Sequence, residues 1–304
     1  MKSFTRSDQA RTPRRVMEIM KATRLKYWPA VGIPFAIGVL RSSTFPTFFE
    51  VFVALSVFVF ALAGSGHMLN QYYDRHLDPD NPRTKNLPIA SGRLSKQTAL
   101  FSAVILLLLG FFASFYLGFE LFVLYLIGTA ASVAYSVPPF RLKERFVLGA
   151  TTSALGYILI GLYAGWLLTK SFSLQPLGIG FPIIFAALSA HIYKDVEDRK
   201  GDKKHGVRTV ATRLGSRGAV KISWLLSVIG YALFPVFSAL GFLSPYFVWL
   251  GFGVLPSTLF FKPLIASEVS QKNIRNKGWL LFGCLLSTLV IVLSLTFFTS
   301  PFGG

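Results

Sequence analysis

The chain is short of charge, of acids and of cysteine, and each shortage removes a class of protein. Of its 304 residues only 14% are charged while 53% are hydrophobic, and mean hydropathy is +0.55. A soluble domain carries about 25% charged residues, so the composition is that of a membrane protein. Cys284 stands alone, which removes a disulfide framework and a cysteine metal motif; it reads as a packing or lipid-facing residue. Asp and Glu number 13 against 31 Lys and Arg. Polar stretches long enough for a separate soluble domain are also missing.

What is present is a series of apolar segments of roughly 20 residues, the length needed to cross a bilayer. Nine can be counted: 27–45, 47–69, 97–115, 119–136, 147–169, 175–194, 220–241, 244–264 and 277–298. The expectation is an all-α membrane protein of about nine transmembrane helices, with residues 1–304 as a single transmembrane domain. Residues 1–26 hold eight Lys/Arg and no apolar core, unlike a signal peptide. They predict a basic amphipathic helix on the membrane surface.

The net charge of +18 suggests nucleic acid until its distribution is followed. With nine spans, 29 of the 31 Lys and Arg fall on one side, leaving only Arg41 and Lys170 opposite. This is the asymmetry of a cytoplasmic face, and the excess positive charge suits anionic membrane lipids. No nucleic-acid partner is expected. A multi-pass protein of the cell membrane is, with its polar loops on the cytoplasmic side.

The same side holds 11 of the 13 acids, all except Glu50 and Glu120. Positive-inside topology does not account for acids, and a carboxylate in hydrocarbon costs about 2.5–3.5 kcal/mol. They form two groups. NQYYDRHLDPDNPRTKNLPIASG carries Asn70, Asp74 and Asp78 at intervals of four, and YKDVEDRKGDKKHG carries Asp195, Asp198 and Asp202 at intervals of three and four. At about 100° per residue either set stays on one helix face. Each continues the end of an even-numbered span and follows a histidine, His67 or His191, a parallel that hints at a duplicated half.

Two facing acidic helix ends suit Mg²⁺, which takes one or two carboxylates, several waters and the oxygens of a diphosphate. Arg75, Arg83 and Lys85 in the first loop, Lys143 in the middle one, and Lys203 and Arg208 in the last are placed to neutralise phosphate. The bland alternative is a pair of solvated helix ends with i,i+4 ion pairs; two matched clusters in an acid-poor chain weigh against it. His67 and His191 read as interhelical hydrogen-bonding residues, and Tyr72 and Tyr73 as interfacial belt residues.

The motifs NxxxDxxxD at 70–78 and DxxxD at 198–202, with AYSVPPFRLK at 134–143 and GVRTVATRLG at 206–215, resemble the UbiA superfamily of intramembrane prenyltransferases along nearly the whole chain. The resemblance implies nine helices around a central cavity capped by cytoplasmic loops. It also implies Mg²⁺-dependent transfer of an isoprenoid from a prenyl diphosphate, such as geranylgeranyl diphosphate, to a lipophilic or aromatic acceptor. Asn70, Asp74, Asp78, Asp198 and Asp202 would then bind Mg²⁺–diphosphate, with Asp195 as an additional acid. Lys143 and Arg75 would contact phosphate, and Tyr135 would lie near the reacting carbon. Asp74, Asp198, Lys143 and Tyr135 are the residues expected to carry catalysis. Where many members have Arg-Pro after the first motif, this chain has Leu87-Pro88, leaving Lys85 or Arg83 to substitute.

For the acceptor, DxxDPDNPRT with SGRLS resembles members acting on aromatic quinone precursors. YSVPPFRLK is closer to those handling chlorophyll or homogentisate, and KDVEDRKGD to those making glycerol-phosphate ether lipids, as digeranylgeranylglyceryl phosphate synthases do. An aromatic quinone precursor is the favoured expectation, with the ether lipid and the chlorophyll-type acceptor as alternatives. A membrane transporter, the reading from another class, would place its acids near the bilayer midplane beside broken helices. The Asp-Gly and Ala-Arg signature of alcohol phosphotransferases is not found.

Overall fold

The computed structural model describes residues 6–42, 44–266 and 271–300. Ten helical segments account for most of them. A surface helix α1, Arg6–Ala22, precedes the short α2, Pro29–Leu40. The long helices follow: α3 Phe48–Asp74, α4 Lys96–Leu117, α5 Phe119–Ser136, α6 Val147–Trp166, α7 Gln175–Lys204, α8 Val210–Ala239 and α9 Pro245–Ile265. The last, α10, runs Gln271–Phe298.

Among the described residues eight helices are long and apolar enough to cross a membrane. The ninth expected span, 27–45, is shortened to α2. Its 12 residues rise about 18 Å, less than the roughly 30 Å hydrocarbon core. The reason is local. Arg24 in the left-handed region (φ 57°) interrupts the chain before α2. After Arg41, the Ser42 hydroxyl donates to the carbonyls of Val39 (2.8 Å) and Thr44 (2.6 Å), which closes a turn.

The two acids on the sparsely charged side turn out to hold chain turns. Thr47 and Glu50 form a reciprocal cap at the start of α3: the Thr47 hydroxyl accepts from the Glu50 amide at 3.2 Å, and Glu50 accepts from the Thr47 amide at 2.8 Å. Glu120 accepts from the Phe172 amide at 3.2 Å.

Six helices, α2, α3, α5, α6, α7 and α10, wall a cavity of about 510 Å³, while α4, α8 and α9 pack outside it. Two of the walls carry a π-helical turn, Ser56–Leu62 in α3 and Gly156–Ile160 in α6. Such turns widen a helix by one residue and cluster at functional sites; these two present Phe58, Leu62, Tyr157 and Ile160 to the cavity. At one end of the bundle a two-residue parallel pair, β1 Arg145–Phe146 with β2 Arg208–Thr209, ties the α5–α6 loop to the α7–α8 loop.

Candidate active site

The acidic clusters close the polar end of the cavity from two walls. On the first, α3 ends at Asp74, and Asp78 lies beyond it in a 3₁₀ turn, Asp78–Asp80. This corrects the expectation that Asn70, Asp74 and Asp78 share one helix face. The α-helix stops at Asp74, and Asp78 opens a separate 3₁₀ turn in which Pro79 follows it. Asp74 and Asp78 are both buried. Asp74 is ion-paired with the Lys143 ammonium and lies 3.4 Å from the Arg141 guanidinium. The Asp78 carboxyl is pushed up to about 7 by its burial, reinforced by the neighbouring Asp74 charge.

The second cluster stays helical. α7 runs ten residues past the end of the expected span, 175–194, to Lys204, so Asp195, Asp198 and Asp202 project from one continuous helix. The loop after the first motif presses on it. The Arg83 guanidinium reaches Asp198 (Nε to Oδ2 3.1 Å) and the Asn81 amide donates to Asp202 at 3.3 Å. Gly201 permits this approach: a Cβ there would stand 1.8 Å from the Asn81 side-chain oxygen.

The third element is the α5–α6 loop. After Ser136 the two prolines, 138 and 139, prevent α5 from continuing, as the sequence predicts, and the chain folds back to bring Tyr135 and Lys143 into the cavity wall. Gly149, in the first turn of α6, fixes the height of Lys143, since a Cβ at 149 would lie 2.7 Å from the Lys143 Cα. The β1–β2 pairing then locks this loop to the segment that follows the second cluster.

The structure thus brings together Asn70, Asp74, Asp78, Arg83, Tyr135, Lys143, Asp195, Asp198 and Asp202 along one cavity. It leaves four expected phosphate contacts outside. Arg75 turns away to lie 5.2 Å over the Tyr72 ring and donates to the Tyr72 carbonyl at 2.8 Å. Lys85, Lys203 and Arg208 are exposed and do not line the cavity. Arg83, not Lys85, is the basic residue of the first loop that reaches inward. Asp80 is a clip between loops, bonded to Lys204 at 2.9 Å and His205 at 2.7 Å.

Sequence reasoning missed the cations that complete the site. Arg24 and Lys26 enter from the turn before α2, and Lys194 from α7, 3.8 Å from Asp195. In the sequence they are indistinguishable from the basic residues that set topology. The N-terminal segment is also more than a surface helix. The Gln71 amide donates to the Ala22 carbonyl at 2.7 Å, and Arg93 bonds the buried Glu18 at 3.0 Å, so α1 is fastened beside the first cluster.

The fit of these residues to a divalent cation can be read from their unused bonding capacity. Among the described residues no three His, Cys, Asp or Glu side chains converge closely enough to hold one ion by themselves. However, Asp78 Oδ2 and Asp198 Oδ1 are buried oxygens without a hydrogen-bond partner, one on each wall. An unpartnered buried carboxylate oxygen is costly. Single carboxylates from opposite walls, with a ligand anion between them, match the donor set that Mg²⁺ takes.

A model of the UbiA prenyltransferase family matches residues 31–264. A digeranylgeranylglyceryl phosphate synthase from Methanosphaera stadtmanae is 33% identical over 60% of this chain and 64% of its own length. A probable homogentisate phytyltransferase 2 from Oryza sativa is 36% identical over 64% of this chain and 53% of its own length. The matched part therefore spans less than two thirds of either relative. A UbiA homologue from Archaeoglobus fulgidus bound to GPP and Mg²⁺ shares the fold, with TM-score 0.69 over 91% of this chain and 99% of that one at 20% identity.

Proposed function

The chain belongs to the UbiA prenyltransferase family, and from that premise we propose that it transfers a prenyl group from a prenyl diphosphate, with Mg²⁺, to a glycerol-phosphate ether lipid. The observation that carries this reading is the pair of carboxylate clusters on opposite walls of one cavity. Each is met by a cation, Lys143 on Asp74 and Arg83 on Asp198, and each keeps a bare buried oxygen. Asn70, Asp74, Asp78, Asp198 and Asp202, with Asp195 behind them, would hold Mg²⁺. Bound there, Mg²⁺ offsets the charge that grows on the leaving diphosphate. Lys143, Arg83 and the nearby Arg24 and Lys194 supply fixed positive charge to the same oxygens. The apolar depth of the cavity, with Phe58, Leu62, Ile158 and Leu289, receives the isoprenoid tail and keeps water from the electrophilic C1.

The synthase relative from Methanosphaera supports the ether lipid over the quinone precursor favoured from sequence. The rice relative, at higher identity, keeps an aromatic acceptor as the second reading. The Lys/Arg asymmetry supports a cytoplasmic location for the clusters. The test is incubation of the purified protein with geranylgeranyl diphosphate, Mg²⁺ and either geranylgeranylglyceryl phosphate or homogentisate, with products identified by mass. Magnesium-dependent release of diphosphate with a digeranylgeranyl ether product is expected. Diphosphate release with the aromatic acceptor alone would move the assignment to the second reading, and no release with either would overturn the activity.

A further inference from the structure

Two of the four histidines line this cavity below the carboxylates, His67 from α3 and His191 from α7. His67 lies seven residues before Asp74 on α3, and His191 seven before Asp198 on α7. Seven residues are about two turns, so each imidazole lies on the same helix face as its carboxylate and about 10 Å deeper. Tyr157, from the π-helical turn of α6, stands between them. Its hydroxyl is 3.1 Å from His67 Nε2, and its ring stacks on His191 with centroids 5.6 Å apart at 25°. Tyr27 closes the other side of His67 at 5.6 Å. The interhelical bonding expected of His67 is there, but the ring also faces the cavity.

The level of this array matters. A diphosphate held between the acids points its C1 and tail down the cavity, toward Asn70 and then His67, one turn below. An acceptor attacking C1 must lose a proton at that level, and the transfer reading assigns the carboxylates above to Mg²⁺. We propose that His67 accepts the proton of the acceptor, with Tyr157 as its positioning residue. This inference rests on the prenyl-transfer reading. The bond from C1 to the diphosphate oxygen breaks with its electron pair on the diphosphate. A lone pair of the acceptor hydroxyl forms the new bond to C1, and the hydroxyl proton passes to His67 Nδ1. With Nε2–H donating to the Tyr157 oxygen, Nδ1 keeps the lone pair this step needs. The oxygen losing the proton is positively charged once alkylated, so a neutral imidazole is base enough.

The experiment compares His67→Gln and Tyr157→Phe with the wild type in three assays. These are transfer to the acceptor, cleavage of prenyl diphosphate without acceptor, and Mg²⁺-dependent binding of a non-cleavable prenyl thiodiphosphate. For His67→Gln, transfer should fall about 10²-fold or more, while acceptor-free cleavage and analogue binding stay near wild type. Tyr157→Phe should lower transfer about tenfold, the effect of one lost hydrogen bond, with the other two assays unchanged. Unchanged transfer in His67→Gln, or a parallel fall of transfer and cleavage in both variants, would overturn the assignment. A wild type that never releases diphosphate would instead overturn the transfer reading itself.

Discussion

The two acidic clusters share nearly the same spacing and adopt different structures. Asp195, Asp198 and Asp202 ride a helix that continues unbroken to Lys204. Asn70 and Asp74 end a helix, and Asp78 belongs to the turn after it. Pro79 directly follows the first cluster, whereas α7 carries no proline between Pro182 and its end at Lys204. The consequence is a division of labour. The second cluster is a continuous helical rail, and the first carries a loop that sets Asn81 and Arg83 across the cavity against that rail. Cross-wall contacts of this kind join the two clusters into one site.

If both walls hold one diphosphate, the largest effects come from removing one carboxylate on either. Asp74→Ala and Asp198→Ala should each lower turnover by about 10²-fold or more, the scale of losing a preorganised electrostatic contact, with circular dichroism unchanged. A loss at one position only would break the symmetry of function that the unequal geometries conceal. Next comes Lys143, pinned by Gly149 and paired with Asp74. Lys143→Ala should reduce kcat/KM by about 10²-fold, whereas Lys170→Ala, at the other end of the bundle, should leave it unaltered. Indistinguishable variants would remove Lys143 from the site.

A smaller effect follows pH, and both walls carry it, since burial pushes the Asp202 carboxyl up to about 7 as well. The Asp78 carboxyl, raised to about 7 by burial and by Asp74, binds a proton as pH falls below that value, and a proton competes with a metal ion. The Mg²⁺ concentration for half-maximal activity should rise between pH 8 and pH 6, and Asp78→Asn should reduce that dependence, leaving the part due to Asp202, while weakening Mg²⁺ overall. The smallest effect belongs to Asp80. Its carboxyl is held below the usual range by Lys204 and His205, but it is exposed and points away from the cavity. Asp80→Ala should therefore leave turnover close to wild type.

Much of this was legible in the sequence because it depends on local rules. Apolar runs point to the long helices, the two acidic clusters to the two cavity walls, and the Pro-Pro pair to the loop that carries Lys143, but the single helix face expected for Asn70, Asp74 and Asp78 ends at Asp74. The misses are tertiary. Arg24, Lys26 and Lys194 carry no pattern that separates them from topology-setting charges, and only the fold turns them inward. Arg75 sits next to Asp74 in the chain, yet the Tyr72 ring holds it on the far side. The shortening of the first span follows from a hydroxyl-closed turn at Ser42, which hydropathy does not register. Gly201 and Gly149 look like ordinary helix glycines until the loops they admit are seen.

The central claim is that neither wall suffices: the two clusters hold Mg²⁺ jointly, through the diphosphate. Calorimetric titration of Mg²⁺ into the protein, with and without a non-cleavable prenyl thiodiphosphate, tests it most directly. Weak Mg²⁺ binding alone, tight binding with the analogue, and loss of the tight phase in both Asp78→Ala and Asp198→Ala are the predicted results. Tight Mg²⁺ binding without the analogue, or its survival in either variant, would contradict the claim.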